Sequence, residues 1–250
     1  SVAQPVRHTC GQWRFGANDD KADGILFDKD GTLFDFQKSW GPWAAGMITQ
    51  LSGGDAAISQ AICNVLGFDL GTQRYLPDSF AVASTPDEQI ARIVPLVPHL
   101  SAAQVTHVMT PNLTDALPVP VRGLSQSLQR FQGHGVKMGV VTNDFETLAR
   151  AHLQHAGIAS VFDVVIGFDS GFGGKPDPAG CLAALGTLGV APEHTLMVGD
   201  SLHDIDAGAA AGMRTVGVLT GTATRQDLVS HADCVLRDIF ELAELFEPKP

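Results

Sequence analysis

Ile25-Leu26-Phe27-Asp28-Lys29-Asp30-Gly31-Thr32 is the stretch that decides the fold. Three apolar residues in a row, stopped by charges and a glycine, predict a short strand buried on both faces, the kind found in parallel sheets. Working outward, the same pattern recurs over 136–142, 161–167, 195–199 and 215–219, with an edge strand over 233–236. Helical stretches over 121–132, 146–156, 178–188, 204–211 and 225–230 separate them. Strands alternating with helices predict an α/β fold, a Rossmann-like parallel sheet with helices on both faces. Residues 36–118 break the rhythm. They predict helices over 40–51, 55–66, 87–97 and 101–116 and no strand, with Asp55 and Ser101 as N-caps and Pro86 at a helix start. The expected organisation is an irregular tail over 1–23, a sheet core over 24–35 and 119–250, and an all-helical insert over 36–118.

Composition narrows the function. The 250 residues carry 16 Lys and Arg against 27 Asp and Glu, a net charge of −11. That balance disfavours nucleic acid and anionic membranes as partners, since both need a basic footprint. No apolar run approaches the ~18–20 residues of a membrane span. Cys10, Cys63, Cys181 and Cys234 are scattered with no CxxC pair, so the sequence predicts four unpaired thiols and a reducing, cytoplasmic setting. The expected partner is a small molecule, with the protein a monomer or homodimer.

Four strand ends carry chemistry. Asp28 and Asp30 are two apart in extended chain, so they face one side; an acidic turn is the plain alternative. Thr142-Asn143 closes another strand, as an anion cradle at a helix start or simply as a cap. Gly173-Gly174-Lys175-Pro176 sets a lysine on a short loop, in a pattern that fits neither a Walker loop nor a dinucleotide fingerprint. Asp200 and Asp204, four apart at a helix start, share a face. Ligands bind at the carboxyl ends of strands in such sheets. Carboxylates gathered there repel one another and raise their own pKa values. A hard divalent cation relieves that repulsion, and Mg²⁺ is the usual choice beside phosphate.

FDKDGTLFD, VVTN, GGKPDP and VGDSLHD resemble, in order, the four motifs of the haloacid dehalogenase-like hydrolase superfamily, and the likeness covers residues 24–246. The chain looks most like its phosphoglycolate phosphatase-like members, and the insert resembles their helical cap. The resemblance implies a Mg²⁺-dependent phosphatase of a small phosphorylated metabolite, phosphoglycolate-like or a sugar phosphate. Asp28 would be the nucleophile and Asp30 the general acid and base. Asp28, the Asp30 carbonyl and Asp200 would hold Mg²⁺, with Asp204 supporting its water shell. Gly31, Thr142, Asn143 and Lys175 would bind the phosphoryl group. A non-catalytic phospho-ligand-binding protein and a dehalogenase are the alternatives. Where phosphoglucomutase relatives carry a histidine, this chain has Trp40. Trp40 and Trp43 read first as hinge packing and second as pocket wall. The insert joins the core by two connections, over 35–39 and 117–121, about which a cap is expected to open and close; Gly41 and Pro42 lie close to the first, and Arg74 is the candidate anchor for a substrate carboxylate.

Overall fold

The computed structural model of the chain describes residues 10, 13–16, 21–112 and 115–246. Strand β1 (Gly24–Phe27) leads into the insert: α1 (Phe36–Ser52), α2 (Ala56–Leu66), β2 (Phe68–Asp69), β3 (Arg74–Tyr75), α3 (Phe80–Ala83), α4 (Pro86–Ile93) and α5 (Ala102–Met109). The chain returns through α6 (Leu124–Gly133), β4 (Lys137–Val141), α7 (Glu146–His155), β5 (Val164–Ile166) and α8 (Ala179–Leu188). It finishes with β6 (Thr195–Gly199), α9 (Leu202–Ala210), β7 (Arg214–Val218), α10 (Arg225–Val229), β8 (Cys234–Leu236) and α11 (Ile239–Glu244).

Six strands make one parallel sheet in the order β5-β4-β1-β6-β7-β8. Alternation along β1 sends Ile25 and Phe27 to one face, against Leu128 and Phe131, and Leu26 to the other, against Cys181 and Leu185. Both faces are therefore buried, which is why these strands read as unbroken apolar runs. The strand order reverses at β1, whose carboxyl end is the topological switch point where such sheets bind ligands.

The insert has its own apolar cluster, built on Ile48, Leu51, Ile62, Leu66, Ile93 and Val105. Asp55 caps α2, and Thr85 and Ser101 form capping boxes with Glu88 and Gln104. The insert differs from expectation in three places. It is not all helix: β2 and β3 pair as a two-residue antiparallel ladder, too short to leave a periodic signal. The helix expected over 101–116 stops at Met109, because Pro111 excludes helical backbone just before it. The helix expected over 87–97 ends at Ile93 and tightens to a 3₁₀ turn over Val94–Leu96, at Pro95.

Gly41 and Pro42 sit inside α1 and not at a hinge. A Cβ on Gly41 would run into the Gln73 carbonyl, so glycine there lets α1 meet the β2–β3 turn. The connections to the sheet are stitched to each other instead. Asp35 N–H donates to the Val119 carbonyl at 2.8 Å, Ser39 Oγ donates to the Asp35 carbonyl at 2.7 Å, and Val119 N–H donates to Ser39 Oγ at 3.0 Å.

The expected unpaired thiols need correction, and the N-terminal stretch, irregular where described, packs onto the core. Trp13 and Phe15 are buried in the main core, and Phe15 bridges Phe246. Burying two large aromatics outweighs the polar residues around them. Cys10 and Cys234 form a disulfide across 224 residues of sequence, while Cys63 and Cys181 are free and buried. The reducing compartment inferred from four thiols loses its premise. Residues 1–9, 11–12 and 17–20 lie outside the described residues. No helix among the described residues is long and apolar enough to cross a membrane.

Candidate active site

One cavity at the carboxyl edge of the sheet is lined by residues of all four strand ends: Asp28 and Asp30, Thr142 and Asn143, Lys175, and Asp200 with Asp204. Asp28 directly follows β1, held in place by its N–H donating to the Val198 carbonyl of β6. Asp200 and Asp204 flank the start of α9. Ser201 caps that helix, and its N–H and Oγ both donate to Asp204 Oδ2.

Lys175 joins these residues. Its side chain is only 3% exposed, and Nζ reaches Asp28 Oδ1 at 2.7 Å, Asp204 Oδ1 at 2.6 Å and the Val141 carbonyl at 2.6 Å. Three acceptors saturate the three donors of an ammonium. Burial alone would lower the Lys175 pKa, but the Asp204 and Asp28 carboxylates outweigh it and hold it above the ordinary value. Asn143 fixes the loop: its Oδ1 accepts from Lys175 N–H at 2.7 Å and its Nδ2 donates to the Lys175 carbonyl at 2.9 Å. The Thr142 hydroxyl accepts from Asp144 N–H at 3.1 Å.

The acidic groups exceed their counter-charge. Oxygens of Asp28, Asp200 and Asp204 lie within 4.8 Å of one another. Burial pushes Asp28 up to about 7 against the pull of Lys175, and burial with Asp28 and Asp204 pushes Asp200 well above the carboxylate range. Asp200 Oδ2 is buried without a hydrogen-bond partner. An orphaned carboxylate oxygen beside two further carboxylates is a donor set suited to a hard divalent cation, and Mg²⁺ fits it. Both Asp204 oxygens are already engaged, by Lys175 and Ser201, so Asp204 suits a supporting place.

The structure moves two predicted residues out of the cavity. Gly31, at φ +89°, packs against the Asp200 carboxylate, where a Cβ would collide, and does not line the cavity. Arg74 is exposed on β3; strand alternation turns its neighbour Tyr75 inward to the cavity and leaves Arg74 outside.

The sequence reading missed a second lysine hub. Lys29 is fully buried, with Nζ 2.6 Å from Asp30 Oδ2, 3.1 Å from Asp144 Oδ2 and 2.8 Å from His152 Nδ1. An ammonium only donates, so His152 carries its proton on Nε2. Burial and then Lys29 hold the His152 pKa down at about 4. The available signal was alternation, which aims Lys29 away from the side that Asp28 and Asp30 face, into the protein. Trp40 completes the setting. Its Nε1 donates to Asp30 Oδ1 at 2.8 Å, and its ring meets Trp43 edge-on at 5.3 Å. Both tryptophans line the cavity, so the pocket-wall reading holds alongside packing.

Comparison with known proteins places the chain in a family. The family model for haloacid dehalogenase-like hydrolases matches residues 22–212. A phosphoglycolate phosphatase of Xylella fastidiosa is 32% identical over 81% of this chain and 82% of its own. A pyrophosphatase PpaX of Oceanobacillus iheyensis is 32% identical over 46% of this chain and 55% of its own. The crystal structure of a predicted phosphoglycolate phosphatase from Haemophilus somnus, 20% identical, superposes with a TM-score of 0.69 over 89% of this chain and 97% of that one. With the motif residues gathered on one cavity, the chain belongs to the haloacid dehalogenase-like hydrolase family, among its phosphoglycolate phosphatase-like members, and is a phosphatase.

Proposed function

We propose that this phosphatase hydrolyses a small phosphorylated metabolite through an aspartyl-phosphate on Asp28 and depends on Mg²⁺. The observation that carries the proposal is the Lys175 ammonium bound to both Asp28 and Asp204 beside the orphaned Asp200 oxygen. Mg²⁺ would be held by Asp28, Asp200 and the Asp30 carbonyl, with Asp204 behind them, and when bound it supplies the positive charge that lets a carboxylate meet a phosphate dianion.

The residues then divide the work. Asp28 attacks phosphorus, and the ester oxygen departs with a proton from Asp30. Water next attacks the phosphorus of the acyl phosphate and gives its proton to Asp30, which releases phosphate and frees Asp28. Splitting one displacement into two is the gain of a covalent nucleophile. Lys175 orients Asp28 and draws charge from the phosphoryl oxygens, with Thr142 and Asn143 alongside. Residues 24–35 and 119–250 form the catalytic core, and 36–118 form a cap that pivots on the stitched pair at Asp35 and Val119 and shields the intermediate from bulk water. The names of the relatives suggest phosphoglycolate as a first substrate to test, with sugar phosphates beside it.

The test is p-nitrophenyl phosphate turnover by EDTA-stripped protein with and without millimolar Mg²⁺. Release of p-nitrophenol only with Mg²⁺ is expected. Metal-independent turnover, or chloride release from 2-chloropropionate in its place, would overturn the proposal.

A further inference from the structure

Phosphoryl transfer to Asp28 constrains the substrate. A phosphomonoester whose phosphorus sits at Asp28 must bring its leaving oxygen to Asp30, and the insert decides what surrounds that oxygen. The wall there is Phe36, Trp40, Trp43, Tyr75, Met109 and Pro111. Phe36 meets Tyr75 edge-on at 4.9 Å, extending the Trp40–Trp43 pair into an aromatic corner. Burial, and then the Asp30 charge, push the Tyr75 phenol up, so the wall stays neutral.

Among the described residues the one Lys or Arg against this corner is Lys29, whose Nζ lies 5.5 Å from the Trp40 ring centroid and is already bound to Asp30 and Asp144. The insert holds only three Lys or Arg residues: Lys38, Arg74 and Arg92. Lys38 is exposed and paired with Asp35. Arg74 is exposed beyond the lining, and the Arg92 guanidinium stacks 3.5 Å from the Phe80 ring centroid. His99 contacts the Leu51 carbonyl, and His107 is exposed on α5. On the core side Lys175 is saturated, Lys29 is sealed behind Asp30, and His203 lines the cavity at the acidic start of α9, beside Ser201. The insert's polar contribution is neutral: Gln89, whose amide donates to the Ala81 carbonyl, and Ser84, whose buried hydroxyl has no partner. A second anion on the leaving group would lose its water here and meet two lysines already engaged, Lys29 by Asp30 and Asp144 and Lys175 by Asp28 and Asp204.

We infer that the site takes phosphomonoesters of uncharged alcohols with an aromatic or aliphatic face, and that it rejects esters whose leaving group carries a second anion, phosphoglycolate included. The inference rests on the phosphatase reading above, and one panel tests the two separately. Benzyl phosphate and phosphoglycolate both leave as ordinary alcohols, so their kcat/KM ratio with Mg²⁺ reads the wall and not leaving-group acidity. Benzyl phosphate should be preferred by at least tenfold. Trp43→Ala should cut that preference, chiefly through KM for benzyl phosphate. Val82→Arg, which adds a cation to the lining, should narrow the ratio or reverse it. Equal or better turnover of phosphoglycolate by the unaltered protein overturns the inference and leaves the phosphatase intact. Failure to hydrolyse either ester or p-nitrophenyl phosphate overturns both.

Discussion

The sheet edge and the insert face one cavity with opposite chemistry. On the sheet side, two buried lysines each bind two carboxylates, Lys175 with Asp28 and Asp204, Lys29 with Asp30 and Asp144. On the insert side stand aromatic rings, and Trp40 meets the charged edge twice, through its N–H on Asp30 and its ring 5.5 Å from the Lys29 ammonium. The work is divided between them: the edge supplies charge, fixed before substrate arrives, and the insert supplies the dry wall that makes that charge count. Electrostatic interactions strengthen as water is excluded, and preorganised charge needs no rearrangement during reaction.

The comparison breaks first at Asp28. Asp28→Asn should lower kcat/KM by on the order of 10⁴-fold or more, the scale of losing a nucleophile, with an unchanged circular dichroism spectrum. Residual Mg²⁺-dependent activity above a trace would place the chemistry elsewhere. Lys175→Met comes next. It strands two buried carboxylates, so it should cost about 3–5 kcal/mol of stability, the scale for breaking a buried pair, read by urea unfolding. Activity should fall by roughly 10²–10³-fold, the loss typical of removing one preorganised charge contact.

Trp40→Phe sharpens the contrast, because it keeps the wall and deletes one N–H on Asp30. An alkyl phosphate should lose about tenfold in kcat, and p-nitrophenyl phosphate less, since its leaving group needs little protonation. Equal losses on both would make Trp40 a packing residue alone. The smallest effect is at His152. Its folded pKa of about 4 lies below the ordinary 6.5. The unfolded chain takes the proton first as pH falls, so this contribution to stability is present above about 6.5 and is lost as pH drops toward 4. His152→Gln should make the decline of Tm across that window shallower, and an unchanged slope would remove His152 from the account.

The sheet and its acidic edge were legible because their physics is local. Strands buried on both faces write apolar runs, and a site at strand ends places its residues directly after those runs, as Asp28, Thr142 and Asp200 are placed. The rest depends on distance or on single atoms. Nothing near Cys10 announces Cys234, and two residues of β2 against two of β3 leave no period. Arg74 and Tyr75 are neighbours that part only once strand orientation is known. Lys29 stood in plain view between two aspartates, and only strand alternation shows it pointing inward.

If Asp28 carries the phosphoryl group, the covalent intermediate can be trapped on it. Protein turning over substrate with Mg²⁺ is quenched in acid, reduced with borohydride and digested for mass spectrometry. Borohydride converts an acyl phosphate to an alcohol, so Asp28 should be recovered as homoserine, only after exposure to substrate. Unmodified Asp28 during full turnover, or homoserine at Asp200 or Asp204, would contradict the account.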